Sequence, residues 1–426
     1  MIQTPVAIVG MGKSGGSAER LLLHRGFKRE DVLTFDQKSP AQFTDAETLM
    51  REGKPRTLVV SPGVPLNSEW IRNAKLSGVR ITSEINLACE SLSEEKLIGI
   101  TGSLGKSTTV SLLGAGLLAF DKNGFVGGNL GTPFCDYAYD VETGARKRAQ
   151  WVLLELSSYQ LENSSALKLD YSAITYLSPN HLERYPSLDN YYMTKWRILD
   201  QTNKELFINK NGGELLDFAQ AQKEFERCII CSRDDKLLQP HALSHAKLLG
   251  SHNQDNIALA AKIAIHCHWP ISSIQGIKAF KGLEHRLENV GVYEGIQFIN
   301  DSKATAMNSV LTAAEVVHEG LSAKGTLFIL LGGKDKNLPW EELATLAMLM
   351  RTRFLFFGNC AELAQSKSQL PGDIFAKLDL ALESVLQKAS AGDIVLLSPG
   401  GTSFDEFKGF EDRGRFYKDK IRKHFS

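Results

Sequence analysis

Neither sign of charge is in excess: 49 Lys and Arg stand against 49 Asp and Glu over 426 residues. No global field therefore favours nucleic acid or an anionic membrane, and a charged partner has to be caught locally. Cysteine is scarce. The six (Cys89, Cys135, Cys228, Cys231, Cys267 and Cys360) are scattered, and the C-x-x-C at 228–231 lacks a second pair or a nearby histidine pair to complete a zinc site. Reduced, buried thiols in a cytosolic protein are the expectation. Long apolar runs are missing too. The run VSLLGAGLLAF (110–120) has 11 residues, against the roughly 18–20 that a membrane helix needs. The N-terminus, MIQTPVAIVGMGKSGG, has no basic start leading into a long apolar stretch and does not read as a signal peptide. No repeat or low-complexity segment stands out. A cytoplasmic protein without a nucleic-acid or membrane partner is expected.

What is present is a globular composition, 43% hydrophobic and 23% charged, on a chain long enough for roughly two to four domains. Short apolar runs alternate with helical periodicity: VAIVG, VLTFD, TLVVS, LIGIT, WVLLEL, YSAITYL, GIQFIND, TLFILLGG, FLFFG and IVLLSPG. Most end in Gly, Ser or Asp before a helical stretch, which predicts α/β architecture with helices on both faces of parallel sheets. Runs that are apolar throughout suit strands buried on both faces. Polar SLSEEK (91–96) and KGLEH (281–285) divide the chain in three, with boundaries near 91 and 282.

In VAIVGMGKSGGSAERLLLHRG, Gly10, Gly12 and Gly15 spell G-x-G-x-x-G after a strand, and Asp36 closes the next strand 26 residues on. Backbone N–H groups and a helix N-terminus would face a pyrophosphate, and Asp36 a ribose. Alone the pattern is weak: an NAD site, another diphosphate nucleotide and a ligand-free tight turn all satisfy it. SPGV (61–64), after TLVV, would bring Ser61 and Gly63 to the same end of the sheet.

GITGSLGKSTT (99–109) misses the common phosphate-loop spelling G-x-x-x-x-G-K-[ST], because Ile100 stands where the first glycine belongs. Its own spacing, G-x-x-G-K-S, still has what phosphate needs. Gly102 and Gly105 let the backbone bend, successive N–H groups from Gly102 through Thr108 converge, Lys106 adds a point charge, and the Ser107 or Thr108 hydroxyl can reach Mg²⁺. Glu155, closing WVLLE, is placed to face that loop and hold a metal. His181 and Lys195 follow on a loop and a helix; by themselves they read as a solvated histidine and a surface charge.

The loop, LELSSYQLE, NHLERYP, GSHNQDN, LEHRLE, INDSKATAMNS and LSPGGTSFDEFKGFEDRG occur in one order. That order resembles the Mur ligase family, ATP-dependent amide-forming enzymes of peptidoglycan-precursor synthesis, over essentially the whole chain. Within the family it looks like the D-glutamate-adding branch. The resemblance implies three domains: a Rossmann-like UDP-sugar domain (1–91), a central P-loop, ATP-binding parallel-sheet domain (92–281), and a C-terminal Rossmann-like α/β domain for the amino acid (282–426). It implies UDP-N-acetylmuramoyl-L-alanine, D-glutamate and ATP as substrates, two Mg²⁺ ions, and a monomer that closes about residues 282–285.

By the same resemblance, Gly102, Ser103, Leu104, Gly105, Lys106, Ser107 and Thr108 would hold the phosphates, with Asn253 and Asn256 on the adenine side. Arg286 would reach the γ-phosphate, completed by Asp301 and Lys303. Ser107, Glu155, His181 and a carbamylated Lys195 would be the metal shell. Lys106, His181, Lys195, Arg286, Asp301 and Lys303 would form the catalytic set. Lys13, Ser14, Asp36, Ser61, Gly63, Asn129 and His181 would take the UDP substrate, and Thr305, Lys336, Ser403 and Phe410 the D-glutamate. The chain departs from the family pattern at Leu104 (usually Asn), Asn180 (Asp), Glu284 (Pro) and Gly400-Gly401 (Ala-Cys). Three readings compete with it. A sibling Mur-type or folylpolyglutamate-type ligase would differ in the third domain, where NDSKATAMNS and SFDEFKGF favour D-glutamate. An NAD oxidoreductase leaves Lys106, Glu155 and His181 unexplained. A non-catalytic nucleotide-binding protein draws on the departures at Leu104 and Asn180.

Overall fold

Four-residue segments such as VAIV and TLVV are too short for helices and carry no polar face, so they pair with each other and are covered from both sides. In the computed structural model, which describes residues 2–179, 184–241, 243, 248 and 251–426, they build the first of three sheets. There β1 (Val6–Val9), β2 (Val32–Phe35), β3 (Thr57–Val60) and β4 (Arg80–Thr82) run parallel in the order β2-β1-β3-β4. The second sheet contains β5 (Lys96–Thr101), β6 (Phe125–Gly128), β7 (Trp151–Glu155), β8 (Leu169–Ile174), β9 (Thr202–Asn209) and β10 (Cys228–Cys231). Its order is β10-β9-β8-β5-β7-β6, again parallel.

The third sheet holds β11 (Glu288–Tyr293), β12 (Ile296–Asn300), β13 (Leu327–Gly332), β14 (Thr352–Phe357), β15 (Gly372–Phe375) and β16 (Ile394–Gly400). Its order is β11-β12-β16-β13-β14-β15, parallel except for the β11–β12 hairpin. The chain packs as two compact units, residues 1–246 with 252–280, and residues 247–251 with 281–426. The architecture is the α/β type that the alternation predicts.

All ten apolar runs are strands. The strands without such a run are β4, β6, β9, β10, β11 and β15, and all but β9 lie at a sheet edge. An edge strand is covered less completely, so its composition relaxes: β11 and β15 have no fully buried residue.

VSLLGAGLLAF belongs to the helix Lys106–Leu118, which is apolar on nearly every side because it is packed on nearly every side. Against it lies the helix Ile271–Ala279. A Cβ on Gly116 would sit 3.0 Å from the Ser273 carbonyl oxygen, so these helices meet at backbone contact. Among the described residues no helix is long and apolar enough to cross a membrane. Cys228 and Cys231, three apart on one strand, point to opposite faces, so they cannot share a metal ion. All six thiols are free.

Within the first unit, the first two sheets are tied by polar contacts, one of them buried. The Glu84 carboxylate accepts a hydrogen bond from the Cys135 N–H (2.5 Å) at the start of the helix Phe134–Glu142. Burial lifts this carboxyl to about 7. Arg25 pairs with Glu90 (3.0 Å) and Glu142 (2.9 Å).

Candidate functional site

The loop after β5 turns on two glycines in backbone regions that side chains avoid, Gly102 at φ +149° and Gly105 at φ +79°. Gly102 is also sterically required: a Cβ there would lie 2.1 Å from the Thr175 hydroxyl. Thr175 and Ser103 stitch the loop to the end of β8. The Ser103 N–H donates to the Tyr176 carbonyl (2.7 Å), its hydroxyl to the Ser178 carbonyl (3.0 Å), and Thr175 donates to the Leu104 carbonyl. Leu104 itself is half exposed at the tip. The helix then opens at Lys106, with Ser107 buried in its first turn and Thr108 half-buried. Asn256 braces the loop from the helix Ser251–His266: its side-chain oxygen accepts from Thr109 (3.3 Å) and its amide donates to Asn253 (3.2 Å).

Two lysine side chains converge on one carbonyl. Lys106 donates to Gly102 O (2.6 Å) and Ser103 O (3.0 Å), and Lys195 donates to Gly102 O (2.9 Å). Lys195 is no surface charge; its relative exposure is 2%. Burial first, and then the Lys106 charge, hold its amine well below the ordinary lysine range, against an opposing pull from Glu155. Glu155, also 2% exposed, ends β7 beside β5. Its Oε1 accepts from the Asn129 amide (2.6 Å), while Oε2 is buried without a hydrogen-bond partner among the described residues. An acceptor-only oxygen beside a glycine-lysine loop is the donor a hard cation seeks, so the residues present fit magnesium. His181, like Asn180, lies outside the described residues.

The first unit also contains a cleft of about 810 Å³, lined by Lys13, Ser14, Asp36, Ser61, Gly63 and Asn129. The fold thus gathers every described residue expected to take the UDP substrate. The helix behind the G-x-G-x-x-G turn comes so close that a Cβ on Gly15 would lie 2.0 Å from the Gly10 carbonyl oxygen. Ser61 donates to that same carbonyl (2.7 Å). Asp36 works first on the backbone. Its Oδ2 accepts from Met11 N–H (2.7 Å), its Oδ1 from Lys38 (2.7 Å) and Ser39 (2.8 Å), and these bonds hold the carboxyl below its usual range. Asn129 joins the two regions, lining the cleft and bonding Glu155 by side chain and by backbone (2.8 Å). Trp70 lines the cleft as well. Nothing in the residue pattern singled it out, because one aromatic in the first turn of a short amphipathic helix reads as packing.

In the second unit the loops after β12, β13 and β16 carry Thr305, Lys336 and Ser403. These strands are neighbours, so the loops emerge at one end of the sheet, where open α/β sheets bind ligands. Backbone bonds lace them together: Lys334 N–H to Thr402 O (2.8 Å), Thr402 N–H to Lys334 O (2.9 Å), and Gly400 N–H to Ala304 O (3.0 Å). Lys336 is exposed, Thr305 half-buried and Ser403 buried. The Phe410 ring carries the Lys303 ammonium 3.8 Å from its centroid.

Arg286 sits in a turn where His285 and Leu287 both have positive φ, +65° and +42°. Glu288 holds the turn by accepting from His285 N–H (2.9 Å) and from the Asn300 amide (2.9 Å). Lys418 bridges Glu284 and Glu288 (2.9 Å to the latter), so the Glu284-His285-Glu288 cluster already has a counter-ion. Asp301 closes the turn from behind: it accepts from Leu287 N–H (3.2 Å) and Ser398 Oγ (2.9 Å). Burial pushes its carboxyl up to about 7, against the pull of those bonds and of Arg286.

Residues 100–264 match the Mur ligase middle domain. Along 97% of its length the chain is 33% identical to the UDP-N-acetylmuramoylalanine--D-glutamate ligase of Myxococcus xanthus, covering 97% of that protein. To the ligase of the same name from Elusimicrobium minutum it is 32% identical, over 96% of each chain. In fold it is similar to the MurF ligase of Thermotoga maritima in complex with ADP (TM-score 0.60, 16% identity, 92% of this chain and 95% of that one). It is also similar to the UDP-N-acetylmuramate-alanine ligase MurC of the same organism (TM-score 0.57, 16% identity, 99% and 100%).

Proposed function

The chain belongs to the Mur ligase family, and from that premise we propose that it joins D-glutamate to UDP-N-acetylmuramoyl-L-alanine in an ATP-dependent step of peptidoglycan-precursor synthesis. The observation that carries the reading is a single junction. Lys106 and Lys195 meet on the Gly102 carbonyl, and Asn129 links Glu155 to the large cleft. A phosphate loop and a substrate cleft that share one asparagine suit a reaction in which an acyl group and a phosphoryl group must meet.

A carboxylate is a poor acyl donor. Its oxygen attacks the γ-phosphorus of ATP and ADP leaves. The D-glutamate amine then attacks the acyl phosphate through a tetrahedral intermediate, phosphate departs, and the amine proton passes to solvent. Lys106 and Arg286 offset charge on the transferring phosphoryl group. Asn129 orients the acyl end, while Asn253 and Asn256 bound the adenine side. Asp301 and Lys303 steady the Arg286 turn.

Ser107, Glu155, His181 and a modified Lys195 would hold two Mg²⁺ ions, whose chemistry is to balance the triphosphate charge. Burial disfavours the charged form of the Lys195 amine; in the neutral form its lone pair forms the N–C bond to carbon dioxide, a proton leaves, and the side chain becomes an anionic ligand. Lys336, Thr305 and Ser403 would bind the D-glutamate carboxylates, with Phe410 at the apolar edge. Residues 1–91, 92–281 and 282–426 would serve UDP-sugar, ATP and amino acid respectively, in a cytoplasmic monomer.

The test is phosphate release with ATP, Mg²⁺ and UDP-N-acetylmuramoyl-L-alanine, adding each amino acid in turn. Release with D-glutamate alone supports the reading. Release with a diamino acid, or with L-alanine on the alanine-free precursor, assigns a sibling reaction, and silence with all of them refutes catalysis. Lys106→Ala should lower release about 100-fold or more.

A further inference from the structure

The turn that carries Arg286 is spelled against its own conformation. Arg286 N–H donates to the Leu283 carbonyl (3.2 Å), and of the two residues between them only His285 has positive φ, +65°. A bond from the fourth residue back to the first, with positive φ confined to the third, makes a type II β-turn, which favours proline in second place and glycine in third. Here those places hold Glu284 and His285. Glutamate lacks the ring that fixes φ, and His285 bears a Cβ where glycine has none. The local sequence leaves this turn underdetermined, so its conformation has to be imposed from elsewhere.

The C-terminal helix Phe410–His424 imposes it. Gly414 and Lys418, four residues apart on that helix, share a face. Gly414 makes room for the buried His285 ring: a Cβ there would lie 2.1 Å from Nδ1. The same nitrogen lies 2.9 Å from the Asn300 amide. Lys418, 6% exposed, donates to Glu284 and to Glu288 (2.9 Å), and Glu288 accepts from His285 N–H (2.9 Å). One ammonium thus grips the second residue of the turn directly and the third through Glu288. We propose that Lys418 and Glu284 are positioning residues for Arg286, their ion pair supplying the restraint that a proline would give the turn and so aiming the guanidinium. The inference rests on the reading above, in which Arg286 offsets charge on the transferring phosphoryl group.

The Glu284 side chain is 61% exposed, so it can be replaced without opening the core, and Glu288 keeps Lys418 paired when it is. In the full-length protein Glu284→Ala should lower kcat for phosphate release, at saturating substrates, about 2- to 5-fold. The KM for D-glutamate and for the muramoyl substrate should stay within about twofold of wild type, because the turn acts on the phosphoryl step alone. Glu284→Pro restores the restraint without the charge and should recover most of the lost kcat, which a loss of charge or of general stability would not do. Lys418→Met, assayed well below its unfolding midpoint, should lower kcat about 5- to 50-fold, and Lys418→Arg should return it to within about threefold of wild type. Glu284→Pro as slow as Glu284→Ala, or Lys418→Met within about twofold of the wild-type kcat, overturns the inference and leaves the ligase reading standing. A wild-type protein that releases no phosphate with any amino acid overturns both.

Discussion

Asp301 offers a perturbation whose effect on stability reverses its effect on activity. It is 7% exposed, and its carboxyl is raised from 3.8 to about 7 by burial. A raised carboxyl means that the folded state prefers the protonated form. The stability it contributes is fully present below pH 3.8 and is lost as the pH rises to about 7. The rise from 3.8 to about 7 corresponds to about 4 kcal/mol above pH 7, of which about 1.6 kcal/mol is already lost at pH 5.

Asp301→Asn removes that cost at nearly constant shape. The amide oxygen can keep the Leu287 N–H bond, and the amide can donate to Ser398, whose hydroxyl is able to accept. Relative to wild type, the variant should therefore gain about 2–3 kcal/mol more at pH 8 than at pH 5. In a unit of this size that is roughly 4–12 °C of melting temperature. Thermal melts and hydrogen exchange across β12 and β16, wild type against variant at each pH, measure it. Phosphate release should meanwhile fall, because the Arg286 turn loses the charge behind it. A variant less stable than wild type at pH 8, or a difference independent of pH, would refute the account of Asp301.

Other expectations follow from the same contacts. Lys195→Ala should abolish turnover while the protein still folds, and a short-chain carboxylic acid should restore part of it; no rescue at any concentration would argue against a carbamate there. Lys418→Met leaves the half-buried Glu288 without its ammonium and should cost about 1–3 kcal/mol in urea unfolding. Lys418→Arg should recover most of that, and an unchanged midpoint for the methionine variant would show that the pair is inert. Gly116→Val pushes a side chain into the Ser273 carbonyl and Ile277, and should cost about 1–3 kcal/mol by circular-dichroism melting without altering UDP binding.

Strands were readable wherever burial on both faces left no choice of residue. VAIV, WVLLE and TLFILLG could be little else, whereas ENVGVY and GDIF are edges whose side chains answer mostly to water. The phosphate loop was legible from two glycines and a lysine, because backbone that bends this tightly has few spellings. The order of the motifs carried the family.

Position in space was a separate matter. Lys195 has the local sequence of an exposed helix residue and is buried instead, because its helix packs beneath the loop after β5. Asp36 has the spacing of a ribose ligand and spends its oxygens on three N–H groups that only the folded turn presents. Ser68 has the spelling of a helix cap and caps nothing. Residue type and short-range spacing decide which strands, turns and charges exist, since those depend on neighbours along the chain. Which carboxylate loses its water, which amine loses its proton and which ring faces a cleft depend on residues tens or hundreds of positions away, and so emerge only when the sheets are packed.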